Sequence, residues 1–169
     1  MTLDPILAAP PVVQAHIAAA VPALLLGPFV LFRTRRDRLH KALGYGWIVS
    51  VSALALTGLF IASDLRVLWH FGPIHLFSAL ALWGVAEGLW HIRAGRVAEH
   101  RAAMRWTWFG AMGLAGLLTL LPGRTINEAL FGGAPRAGLL AAGLGLVALA
   151  LLWRRPTPGR SARTGKFYP

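Results

Sequence analysis

Histidine is the side chain with the most chemistry to offer in this sequence. There are six, and four of them recur at matched spacing. His16 is followed by Arg33, then by His40 seven residues later, then by Trp47; His75 is followed at nearly the same intervals by Arg93, His100 and Trp106. Each later histidine also precedes a basic residue, giving His40-Lys41 and His100-Arg101. Neutral imidazole is an ordinary axial ligand of haem iron. Two histidines brought to one depth by two helices can therefore hold a haem b, and two such pairs at opposite ends of a bundle can pass electrons across a membrane. His16 with His75 would form the first pair, and His40 with His100 the second. Glu87 and His91, four residues apart, share one helix face. They lie beside Gly84 and Gly88, whose spacing lets a second helix come close. Ionisable groups inside a membrane span are costly and point to function.

Other chemistry finds less support. With no cysteine there is no disulfide, thiolate metal site, Cys-ligated cluster or covalently attached haem. His70 and His75 read as H-x4-H, but Pro73 lies between them and the repeated H-x-x-H-H boxes of membrane di-iron oxygenases are missing. Ser50, Ser52, Thr57 and Ser78 have no nucleophile motif around them. The glycine-rich segments contain no phosphate loop. Charged substrates crossing a pore would need more polar lining than Glu87, His91 and a few hydroxyls provide.

The elements that must position these residues are membrane helices. The chain of 169 residues is 56% hydrophobic and 14% charged, far more apolar than a soluble domain. An all-α bundle of five transmembrane helices is expected. The spans run from Val12 to Phe32, Gly44 to Ala62, Pro73 to Ile92, Trp106 to Leu121 and Ala137 to Trp153, each near the length that crosses a hydrocarbon core. Residues 1–155 form the transmembrane domain, and 156–169 form a disordered basic tail. The first span carries Pro22 and Pro28 in its interior, where each removes a backbone hydrogen bond. Such kinks survive in lipid when a neighbour satisfies the freed carbonyl.

Charge sets the orientation. Of seventeen Lys and Arg residues, only Arg66, Arg124 and Arg136 fall on one side of the spans. The rest cluster at 33–41, at 93–105 and in the tail. Short loops rich in Lys and Arg stay cytoplasmic, so the N-terminus is expected outside and the C-terminus inside a bacterial cytoplasmic membrane. The N-terminus lacks the basic region of a signal peptide, so the first apolar run reads as a retained helix. This clustering reads the net charge of +11 as topology and not as nucleic-acid binding. Trp47, Trp69, Trp90, Trp106, Trp108 and Trp153 are expected at the interfaces, where indole prefers to sit.

The segments HIAAAVPALLLGPFVLFR (16–33), RLHKALGYGWI (38–48) and AEHRAAMRW (98–106) resemble the predicted bacterial membrane proteins of the domain-of-unknown-function 2306 family. The family's His-Arg-x-x-Met-x-Arg pattern falls on His100, Arg101 and Met104, with Arg105 one place early. His40-Lys41 stands where the family usually has His-Arg. The resemblance implies a compact bundle of about four core helices and no particular activity. The duplicated helix pairs are also similar to two-haem cytochrome b561-like bundles, which implies a haem near each face.

Three functions follow as expectations. One is haem b binding with electron transfer to a redox partner. Another is a non-catalytic scaffold or accessory subunit in the lipid bilayer. The third is a proton-coupled carrier using Glu87 and His91. His40 and His100 precede their tryptophans by about two turns, roughly 9–10 Å of rise. At that headgroup depth they read as anchors at helix starts ahead of ligands, with Asp37 as an N-cap.

Overall fold

The computed structural model describes residues 1–155. The basic tail, 156–169, lies outside the described residues. Every regular element among the described residues is helical: α1 (Asp4–Leu7), α2 (Pro11–Phe32), α3 (Arg38–Leu59), α4 (His75–Arg93), α5 (Val97–Trp106), a π-helical segment (Thr107–Gly113), α6 (Leu114–Leu118), α7 (Thr125–Phe131) and α8 (Ala137–Arg154). One isolated antiparallel bridge, Leu68 to Phe71, pinches the loop between α3 and α4. Helices α2, α3 and α8 are each long and apolar enough to cross a membrane.

Local chemistry explains the helix starts. Pro11 opens α2, where its missing N–H would be unpaired anyway. Asp37 caps α3, its carboxylate accepting the backbone N–H of His40 at 3.0 Å. That cap starts the helix at Arg38 rather than at Gly44. Helix α5 likewise begins at Val97, ahead of the apolar run at Trp106. Both extensions are polar turns, so hydropathy does not reveal them. The short α7 was also not expected; its buried Asn127 donates to the carbonyls of Leu120 (2.7 Å) and Pro135 (2.9 Å) and ties the end of α6 to the start of α8.

The outward faces are apolar, as suits a bundle dissolved in lipid. Leu25 and Phe29 of α2, Val49 and Leu56 of α3, Trp83 of α4 and Leu144 of α8 are all exposed. Two of the expected interfacial tryptophans lie elsewhere. Trp47 is 1% exposed, and its indole N–H donates to the Ala23 carbonyl at 2.9 Å. Trp108 is also buried, against Gly27, where a Cβ would collide with the indole. Both rings fill the core because α2 offers them small residues and accessible carbonyls around its prolines. Trp69, Trp90 and Trp106 are exposed.

Small residues on α4 admit the segment that follows it. A Cβ on Gly84 would collide with Thr107, and one on Gly88 with Met104. The expected close approach beside Glu87 is thus occupied by the junction of α5 and the π-helical segment. Thr107 is buried there, and its hydroxyl donates to the Ala103 carbonyl at 2.9 Å. π-Helical turns are rare and cluster at sites that need a helix to change face.

Candidate functional site

The sharpest polar convergence is at the starts of α3 and α5. His40 and His100, sixty positions apart in sequence, line one pocket of about 320 Å³ together with Arg36, Lys41, Tyr45 and Arg101. Val30, Ile48, Leu89 and Met104 supply apolar wall. The capped first turn of α3 positions His40, and the polar first turns of α5 present His100 and Arg101.

Hydrogen bonds set the two imidazoles in different states. An N–H of Arg36 reaches Nδ1 of His40 at 3.2 Å. Because guanidinium only donates, Nδ1 must accept, and the ring proton of neutral His40 sits on Nε2. At His100 it is Nδ1 that donates, to the Gly88 carbonyl at 2.8 Å. The lone pair of His100 is then on Nε2. Burial pulls the His100 pKa below its ordinary value, and Arg36, Arg101 and His91 add to this; the Gly88 carbonyl opposes them. Burial, followed by the repulsion of Arg101, also lowers Arg36. Beside the pocket the Asp37 carboxyl falls to about 2, held first by Arg33 and then by the His40 N–H.

The other expected pair is used differently. His75 is buried, and both ring nitrogens are engaged: Nδ1 accepts the Gly72 N–H at 3.0 Å, so Nε2 carries the proton that reaches the Ile61 carbonyl at 3.0 Å. It closes the loop 61–74 upon itself, with His70 and Phe71 packed against its ring. His16 instead lines a larger cavity of about 530 Å³, which His75 does not line. Its Nδ1 lies 3.2 Å from the Thr57 hydroxyl. That hydroxyl donates to the Ala53 carbonyl at 2.7 Å, so it accepts from Nδ1–H, leaving Nε2 of His16 unprotonated. Ser78 and Met112 share the cavity.

Glu87 and His91 do meet on one face of α4, with Oε1 and Nε2 3.5 Å apart. Neither lines either cavity, and the Glu87 side chain is 42% exposed. No group of three or more His, Cys, Asp or Glu converges as a metal site among the described residues.

Sequence reasoning singled out both histidines of the smaller pocket but read Arg36, Lys41 and Arg101 only as topology determinants. The available signal was spacing. Arg36 precedes His40 by one helical turn, and Arg101 adjoins His100. Thr57, the partner of His16, carries no signal beyond being a hydroxyl in an apolar run.

Comparison with known proteins adds one match. Residues 13–154 match a family model described as a predicted membrane protein, DUF2306. No curated protein and no solved structure matches the chain.

Proposed function

The chain belongs to the DUF2306 family of predicted membrane proteins, and from that premise we propose that it is a non-catalytic, five-span membrane protein that binds a ligand in its inner pocket. The proposed spans run over about 12–32, 44–62, 73–92, 106–121 and 137–153, which leaves the first turns of α3 and nearly all of α5, with His40 and His100, at headgroup depth. The proposed N-terminus is outside and the C-terminus inside the cytoplasmic membrane. The distribution of Lys and Arg supports that orientation. The paired spacing of His16, His40, His75 and His100 supports a duplicated core of two helix pairs. The observation that carries the binding function is the meeting of His40 and His100 in one pocket with Arg36, Lys41 and Arg101. Anchoring alone requires no such meeting.

The experiment is ligand-dependent thermal stability. The purified chain is screened against the lipid extract of its expression host, in parallel with a His40→Ala, His100→Ala double variant. Stabilisation of the parent that the variant lacks supports a ligand pocket. Equal behaviour of the two chains overturns the ligand pocket.

Haem b remains a second reading, and His100 favours it. A histidine whose Nδ1–H is held by a carbonyl presents a basic Nε2, the usual preparation of a metal ligand. His16 is prepared in the same way by Thr57. His75 does not fit this role as placed, because ligation would break one of its two backbone hydrogen bonds. Haem would supply one-electron chemistry, with the nearby cations available to its propionates. A visible spectrum of protein from haem-replete cells decides this: a Soret band lost in His100→Ala supports haem, and a colourless protein rules it out. A carrier function would rest on Glu87 and His91, and it predicts transport lost in Glu87→Gln without pigment.

A further inference from the structure

We propose that the inner pocket binds the phosphate headgroup of an anionic phospholipid drawn from the cytoplasmic leaflet. This rests on the orientation proposed above, which sets this end of the bundle at that leaflet. Three permanent cations, Arg36, Lys41 and Arg101, line the pocket with two imidazoles, and no carboxylate is among the lining residues. The adjacent acid, Asp37, is already engaged by Arg33 and by the His40 N–H. The pocket therefore has no counterion of its own. Arg101 makes the need specific: its Nε is buried and has no hydrogen-bond partner among the described residues. Such a donor is costly to leave unpaired. A phosphate oxygen would complete it, and guanidinium is the side chain whose geometry suits phosphate.

The rest of the wall selects the source of that phosphate. Val30, Ile48, Leu89 and Met104 offer nothing to a hydrated inorganic anion, whereas an acyl chain gains by covering them. Tyr45 and Ile92 line the pocket and are exposed beside it, so a chain can run from the pocket onto the lipid-facing surface. Basic pockets between membrane helices on the cytoplasmic side hold anionic headgroups by this combination of charge and burial.

The test is lipid retention by the full chain, measured by native mass spectrometry in detergent with phosphatidylglycerol, phosphatidylcholine or inorganic phosphate. Phosphatidylglycerol is expected to stay bound, phosphatidylcholine to leave, and inorganic phosphate not to compete. Arg36→Gln combined with Arg101→Gln lowers phosphatidylglycerol retention about tenfold or more. Arg35→Gln, which removes a charge from the same loop outside the pocket, leaves it unchanged. Equal retention of the two lipids, displacement by phosphate, or an equal loss in Arg35→Gln overturns the proposal. If tryptophan fluorescence shows the double variant unfolded, Lys41→Gln with His100→Gln replaces it under the same expectation. Orientation is read separately, by thiol labelling of Thr34→Cys in this cysteine-free chain. Labelling from outside overturns the topology and the leaflet assignment, while the headgroup result stands on its own arms.

Discussion

The indole N–H of Trp108 points at the carbonyl of Leu24, 3.4 Å away, and Leu24 is the residue whose helical partner would be Pro28. Proline has no N–H to give. A tryptophan eighty-four positions later stands in for the missing donor, and Trp47 adds a second donor to the neighbouring Ala23 carbonyl at 2.9 Å, whose helical partner Gly27 keeps its N–H. The proline-bearing middle of α2 is thus sealed by two rings from other helices.

Gly27→Ala should disturb that seal directly, because a Cβ there collides with the Trp108 ring. Overpacking of this kind costs about 1–3 kcal/mol. Denaturant titration in detergent micelles measures it. A neutral result would mean that the indole has room to move.

Trp47→Phe keeps most of the ring and removes the bond to Ala23. Losing that bond while the Gly27 N–H stays on the carbonyl costs about 0.5–1.5 kcal/mol. Trp108→Phe leaves the Leu24 carbonyl with no donor, because Pro28 has none, and should lose more, about 1–3 kcal/mol. The two variants, unfolded side by side, test the ranking.

His75→Ala should release both ends of the 61–74 loop, since one ring bridges Gly72 and Ile61. Limited proteolysis between Ala62 and Gly72 is expected to accelerate, while lipid retention at the other end of the bundle stays as in the parent. A loop that stays protected would show that the Arg124 to Asp64 ion pair, 2.5 Å long, holds it without the histidine.

Asp37→Ala removes the cap of α3 and should lower the stability of the chain. The parent should show the same loss in acid. Its folded pKa of about 2 lies below the ordinary 3.8, so the stabilisation is complete above 3.8 and disappears as pH falls toward 2. An acid unfolding profile that does not differ between parent and variant over this interval would remove Asp37 from the account.

His100 gives a second pH dependence in a different window. Its folded pKa is depressed from 6.5, so in ligand-free protein the unfolded chain takes up the proton first. Stability is then full above about pH 6.5 and declines as pH falls toward the folded pKa. The groups facing His100 are Arg36, His40, Lys41, His91 and Arg101, and an anion among them reverses the preference. Binding of phosphatidylglycerol should therefore tighten on mild acidification, and less so in His100→Gln. Retention measured at two pH values distinguishes this from a fixed-charge site.

What the sequence revealed depended on whether lipid or protein surrounded a residue. The apolar runs of α2, α3 and α8 were legible because lipid demands them. The prolines of α2 were legible as breaks, but nothing in the string pointed to Trp108 as the donor that replaces the missing Pro28 N–H, or to Trp47 beside it; indole reads as interfacial unless the path of the chain is known. His40 and His100 were visible through their spacing. The parting of His16 from His75 was not, since His75 is claimed by a loop that it closes through a backbone amide and a backbone carbonyl. Polar helix starts, as at Arg38 and Val97, leave no hydropathy signature because water surrounds them.

The π-helical turn at Thr107–Gly113 acts as a phase shift. Accommodating one extra residue rotates everything beyond it by about 100° relative to an uninterrupted α-helix. A single rod can then aim His100 and Arg101 at one pocket and, beyond the turn, Ala115 and Leu117 at the cavity of His16. Removing one residue from that turn would leave each half helical and put them out of step, so the length of this segment is as much a determinant of both sites as any side chain in them.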